Sequence, residues 1–186
     1  MPKAKEFTPI EPIPLGLLRE PLIWFFAEHY RHRDVCVRLA ALAQSVIFNE
    51  AALREIYGFL DRDLPLHVID EEDDLFPLLR RRCEPDDQIE MVLGMLSAEH
   101  AADMSEGAAV KSLVGAALAE QRGLACYAEA GAAIDAFCQK QKRHIAVENA
   151  VVLPIARHRL GKDDLTSLGQ RLAARRGLAN PFQAAS

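Results

Sequence analysis

The sequence predicts an all-α protein: an up-down-up-down bundle of four long helices followed by a short C-terminal helix. Three observations carry this. Helix formers dominate from about residue 17 onwards, with no run of alternating β-branched residues. Apolar side chains recur at steps of three and four along four successive segments, which places them on one helix face. The breaks between segments are short, so neighbouring helices must run antiparallel.

Residues 1–16 are Pro-rich and read as an extended lead-in. Helix one is expected at about 17–48, with the seam Leu22, Phe25, His29, His32, Cys36 and Leu39. Helix two, at about 51–82, carries Ile56, Leu60, Leu64, His67, Glu71, Leu75 and Leu78 on one stripe. Cys83-Glu84-Pro85-Asp86 is the clearest break, and Asp86 or Asp87 caps the next helix. Helix three, at about 86–121, shows Ile89, Leu93, Leu96, His100, Met104 and Gly107, and Gly123 stops it. Helix four, at about 126–160, shows Ile134, Phe137, Gln141, His144, Glu148, Val151 and Ile155. Gly161 ends it, and a fifth helix at about 163–176 runs to Gly177. One bundle domain over 17–160, with a short helix and loose tail over 161–186, is the resulting organisation.

Bulk properties narrow the function classes. A net charge of -5 argues against nucleic acid or an anionic membrane as the main partner. Arg80-Arg81-Arg82 and Arg175-Arg176 fall at expected helix ends, where they would complement the helix dipole. No apolar run approaches the roughly 20 residues that span a bilayer, and the first residues lack an apolar signal-peptide core. Cys36, Cys83, Cys126 and Cys138 form no CxxC, so free thiols in a reducing cytoplasm are expected and a Cys-rich zinc site is not. The acidic run Glu72, Asp73 and Asp74 reads as an exposed face, with orientation of a neighbouring ligand as the alternative for Glu72.

Each apolar stripe is interrupted near its middle by His, and two of the four also by Glu. A buried carboxylate costs several kcal/mol without a compensating partner. Four His and two Glu at one level are therefore a poor core unless cations lie between them. Residues at i and i+4 share a helix face, so His67 with Glu71, and His144 with Glu148, each aim two donors at one point. Both segments read H-x3-E-x5-P, ending at Pro77 and Pro154, with Arg80 and Arg157 at matching offsets beyond. Upstream, Ala27-Glu28-His29 matches Ala98-Glu99-His100. The chain thus reads as two similar hairpins related by a pseudo-twofold axis, with the polar layer on that axis.

A His on helix one, HxxxE on helix two, a His on helix three and HxxxE on helix four resembles the hemerythrin-like (HHE cation-binding) family. HVIDEEDDLFP also looks like that family's HxxxEE…LFP signature, and the resemblance covers about residues 17–160. It implies a non-haem di-iron centre of two iron ions. His29, His67, Glu71, His100, His144 and Glu148 would be the ligands. Glu71 and Glu148 would bridge, with His29 and His67 on one iron and His100 and His144 on the other. Oxygen-carrying members place a second His four residues after the helix-three ligand; here Met104 stands there, implying an open position facing the metals. Ferritin-like di-iron proteins use Glu-x-x-His, a spacing absent here.

The implied role is binding or sensing oxygen, nitric oxide or peroxide, with an interaction module or an iron store as alternatives. The implied partner is that small ligand, and a homodimer is left open. No catalytic base or nucleophile is readable, so no enzyme activity is assigned. His32 is expected in a core or boundary role, His158 in solvent, and Glu28 and Glu99 on the surface or behind the ligands.

Overall fold

The computed structural model describes residues 9–183. Residues 1–8 of the expected lead-in and 184–186 of the expected tail lie outside the described residues. All regular structure among the described residues is helical. A 3₁₀ turn, Leu15–Arg19, precedes α1, Pro21–Ala43. Helix α2 runs over 50–82, α3 over Ile89–Glu120, α4 over 130–159 and α5 over Lys162–Arg175.

The helices begin and end where the backbone chemistry dictates. Pro21 starts α1 because a first-turn residue needs no N–H partner, so helix one begins later than the expected residue 17. Asn49 caps α2 by accepting the Ala52 N–H at 3.1 Å. Between α2 and α3 the expected start of helix three is a separate 3₁₀ turn, Pro85–Asp87, closed by Asp87 Oδ2 accepting the Glu84 N–H at 2.8 Å. Helix four begins at Ala130 rather than about 126, because Leu124–Cys126 forms a 3₁₀ turn against the end of α1.

Two apolar clusters fill the bundle, one at each end. Val35, Leu39, Ile56, Leu60, Val110, Val114, Ile134 and Phe137 belong to one. Trp24, Phe25, Leu75, Leu79, Leu93, Leu96, Val152 and Ala156 belong to the other. Sequence order reverses from helix to helix, as an up-down-up-down bundle requires. Between the clusters, the same four helices bury His29, His32, His67, Asp70, Glu71, His100, Asp103, Gln141, His144 and Glu148.

Three widened turns shape that polar layer. Phe59–Asp63, Asp70–Leu75 and Glu148–Val152 are π-helical. The N–H groups of Leu64, Phe76 and Leu153 reach back five residues to the carbonyls of Phe59, Glu71 and Glu148. The next residue is in each case a proline, Pro65, Pro77 or Pro154. Proline offers no N–H and its ring crowds the carbonyl four back; one extra residue in the turn relieves both problems. H-x3-E-x5-P is thus a signature of helix widening at the Glu. The widening lets Asp70, Glu71, Asp74, Leu75 and Phe76 all be buried, more than one face of a regular helix would allow.

Helix α5 closes the end of the bundle, and two expectations change there. Arg175 and Arg176 do more than serve the helix end: Arg176 donates to the Leu172 carbonyl of the last turn at 3.0 Å and to Asp70 at 2.6 Å, and Arg175 donates to Asp74 at 2.8 Å and to Asp70. Of the acidic run, Asp74 is buried on these arginines and Glu72 is half-buried, so only Asp73 is exposed. Arg82 makes a forked contact with Asp164, and Arg80 reaches Glu90. Asp70 and Asp74 are buried and must be paired, and the arginines at the end of helix α5 supply the partners.

Gly169 marks the closest approach of α5, since a Cβ there would lie 2.2 Å from the Leu18 carbonyl oxygen. Gly169→Ala is expected to destabilise the fold by about 1–3 kcal/mol. Gly94→Ala, on an open face of α3 with nothing within 4 Å, should instead stabilise by about 0.5–1 kcal/mol. Urea denaturation of both variants against the parent checks the pair.

Candidate metal centre

The six residues expected to form the centre are brought together in the buried layer. His29, Glu71 and Glu148 are fully buried, and His67, His100 and His144 nearly so. Two groups form: His29, His67, Glu71 and Glu148, and Glu71, His100, His144 and Glu148, each with ligand atoms within 4.8 Å of one another. Both contain Glu71 and Glu148, carboxylates carried by two of the three widened turns.

Inside the layer only Nε2 atoms and carboxylate oxygens face one another. His29 Nε2 lies 3.3 Å from Glu148 Oε2 and 3.7 Å from Glu71 Oε1. His67 Nε2 is 3.5 Å from Glu71 Oε2 and His100 Nε2 is 3.1 Å from the same oxygen. His144 Nε2 is 2.8 Å from Glu148 Oε1 and 2.9 Å from His100 Nε2. None of the four carboxylate oxygens accepts an aligned hydrogen bond, and neither His29 Nε2 nor His67 Nε2 makes one. Buried polar atoms without partners are rare because each costs about 1–3 kcal/mol, more if charged.

The outward ring nitrogens are all satisfied. His67 Nδ1 donates to Glu28 at 3.1 Å, His100 Nδ1 to Glu72 at 2.6 Å, His144 Nδ1 to Glu99 at 3.0 Å and His29 Nδ1 to Asn149 Oδ1 at 2.8 Å. An oxygen acceptor at each Nδ1 holds the proton there and leaves the Nε2 lone pair pointing inward. The four bonds run from α1 to α2, α2 to α3, α3 to α4 and α4 back to α1, so they also tie the bundle together. Glu28 and Glu99 thus stand behind inward-facing histidines of the neighbouring helix, not of their own.

Charge within the layer is strongly coupled. Burial opposes protonation of His67, but Glu71 and Glu28 push it up to about 10. His144 is likewise raised to about 9 by Glu148 and Glu71 against burial. Burial would raise the Glu71 carboxyl, yet His67, His100 and His29 hold it well below the usual range. Positive charge is what the layer calls for, as protons or as cations. A cation between Nε2 and carboxylate oxygens satisfies lone pairs that no N–H here is aligned to meet, and imidazole with carboxylate is a suitable donor set for iron or zinc.

Met104 does not face this layer. It is exposed, and Asp103 is buried instead. Helix α3 buries Leu96, His100, Asp103, Gly107, Val110 and Val114, an alternation of fours and threes that excludes residue 104. Asp103 is paired with Gln141, whose Nε2 donates to it at 2.7 Å. His32 is buried as expected but belongs to neither group; its ring packs against His67 and Phe59, and its Nδ1 has no partner. His158 is exposed. The sequence reading missed Asn149 and Asp103. Asn149 carries a usable signal, because it stands as far beyond Glu72 as Glu148 stands beyond Glu71.

Comparison with known proteins agrees with the geometry. A family model, the hemerythrin HHE cation-binding domain, matches residues 21–166, well over half of the chain. An uncharacterized protein of Haemophilus influenzae is 27% identical over 173 residues, covering 90% of this chain and 96% of its own. No helix among the described residues is long and apolar enough to cross a membrane. With an all-helical bundle, paired HxxxE segments and a family match across all four long helices, this chain belongs to the hemerythrin HHE cation-binding domain family.

Proposed function

We propose that the buried layer holds two iron ions and binds a small ligand: dioxygen, nitric oxide or peroxide. Glu71 and Glu148, common to both donor groups, would serve both ions, with His29 and His67 holding one and His100 and His144 the other. The observation that carries this reading is the inward set of four carboxylate oxygens and the Nε2 atoms of His29 and His67 without aligned partners, behind which Nδ1 of each of His29, His67, His100 and His144 is pinned. An iron pair would supply redox electrons and open coordination positions.

The chain's own residues set what such a centre admits. A cavity of about 10 Å³ adjoins His67, His100 and His144 and is bordered by His32, Asp103 and Gln141. That is close to the space one water molecule needs, so it favours a very small ligand. Its rim is polar. Phe76 stacks on His100 with ring centroids 5.7 Å apart, fixing that imidazole from the apolar side. All four cysteines are free, which fits work in a reducing compartment such as the cytoplasm.

Iron content after anaerobic ferrous loading tests the proposal. The parent should hold close to two irons per chain and show an azide-dependent absorption change. Because Glu71 is shared, Glu71→Gln should deplete both positions, whereas His29→Ala should deplete one. A parent with a single zinc, or a Glu71→Gln variant that keeps two tightly held irons, contradicts the reading.

A pH dependence follows from His67 and His144. Their folded pKa values, about 10 and about 9, lie above the ordinary histidine value of about 6.5. In the metal-free chain these groups therefore contribute stability that is full below about pH 6.5 and is lost as pH rises towards 9–10. Cations bind only the unprotonated Nε2, so loading near neutral pH releases protons. Calorimetry in buffers of different ionisation enthalpy should show that release, declining towards zero above about pH 10. The rise in Tm on loading should grow with pH between about 6 and 9.

A further inference from the structure

The pseudo-twofold symmetry of the layer fails behind the histidines, and the failure is chemical. Glu71 corresponds to Glu148, His67 to His144, and Pro77 to Pro154, all at one constant separation. The same separation carries Glu72 to Asn149. Both side chains receive an Nδ1–H, Glu72 from His100 and Asn149 from His29. One acceptor is a carboxylate, reinforced by the Ser97 hydroxyl at 2.9 Å; the other is a neutral amide.

The remaining pair is unequal in the same sense. Glu28, behind His67, also accepts from Arg176 at 2.7 Å, and that guanidinium is only 13% exposed and lies 4.8 Å over the Trp24 ring. Glu99, behind His144, is met by Arg143, which is 67% exposed. A buried cation offsets its carboxylate far more than a solvated one does. The His29/His67 side is thus backed by an amide and by a carboxylate offset by buried charge. The His100/His144 side is backed by two carboxylates, one of them free of any Arg contact and the other offset only by a solvated one.

We infer that the two cation positions are inequivalent, and that the His100/His144 position binds its divalent ion more tightly and fills first. This rests on the two-cation reading proposed above. A carboxylate at Nδ1 makes an imidazole a better donor than an amide does, and changes to such partners alter metal affinity by roughly tenfold to a hundredfold. Arg176 and Asn149 act here as positioning residues through His67 and His29.

Titration of metal-free protein with cobalt(II), followed by its visible absorption, tests the inference. The charge of a first ion already separates two binding steps, so the variants decide. Asn149→Asp is isosteric, and a groove of about 310 Å³ bordered by Leu22, Phe26 and Pro154 leaves room at that residue. It should tighten the second step about tenfold and leave the first unchanged. Glu72→Gln should weaken the first step by a similar factor and leave the second close to its parent value. Circular dichroism of both metal-free variants reports whether the fold is retained. Two ions bound with neither variant shifting its own step, or with the two effects interchanged, overturns the inequivalence while leaving the two-cation reading intact. Fewer than two ions bound by the parent removes both.

Discussion

Everything in this structure is arranged around the cost of burying Glu71 and Glu148. Two carboxylates at the centre of an apolar bundle cost several kcal/mol each unless positive charge meets them. Four imidazoles surround them, and the outward nitrogen of each imidazole is tied to a side chain of a neighbouring helix. The ring of four bonds around the bundle is therefore at once the support for the layer and a clasp between helices. The apolar clusters above and below exclude water, which raises the need for a cation and the strength with which one would be held.

The backbone takes part through three prolines. Regular helix cannot continue through Pro65, Pro77 or Pro154 without crowding the preceding turn, and the chain responds by widening that turn. Two of the widened turns carry the shared carboxylates. Local backbone chemistry thus determines how many inward positions the layer has, and it repeats in both hairpins because the motif repeats. Helix α5 adds a second layer of control, since Arg175 and Arg176 neutralise Asp70 and Asp74 and reach Glu28 behind His67.

Much of this was readable in the sequence. The heptad-like stepping placed the four long helices and their inward faces, and the repeated HxxxE with a paired upstream His picked out the six residues that meet in the layer. What was not readable is instructive. Met104 was expected inward because one turn is close to four residues, but a seam maintained over α3 alternates fours and threes, and Asp103 takes the inward place. The acidic run after Glu71 was expected outward, because the partners that bury Asp70 and Asp74 lie about a hundred residues away on α5. Long-range pairing of that kind leaves no periodic trace, whereas Asn149 did, in the constant spacing of the two hairpins.

Anomalous X-ray scattering at the iron edge from crystals of the iron-loaded protein tests the central claim most directly. The account predicts two separate peaks within the buried layer, both beside Glu71 and Glu148, one next to His29 and His67 and the other next to His100 and His144. A single peak, or iron found only outside this layer, would contradict it.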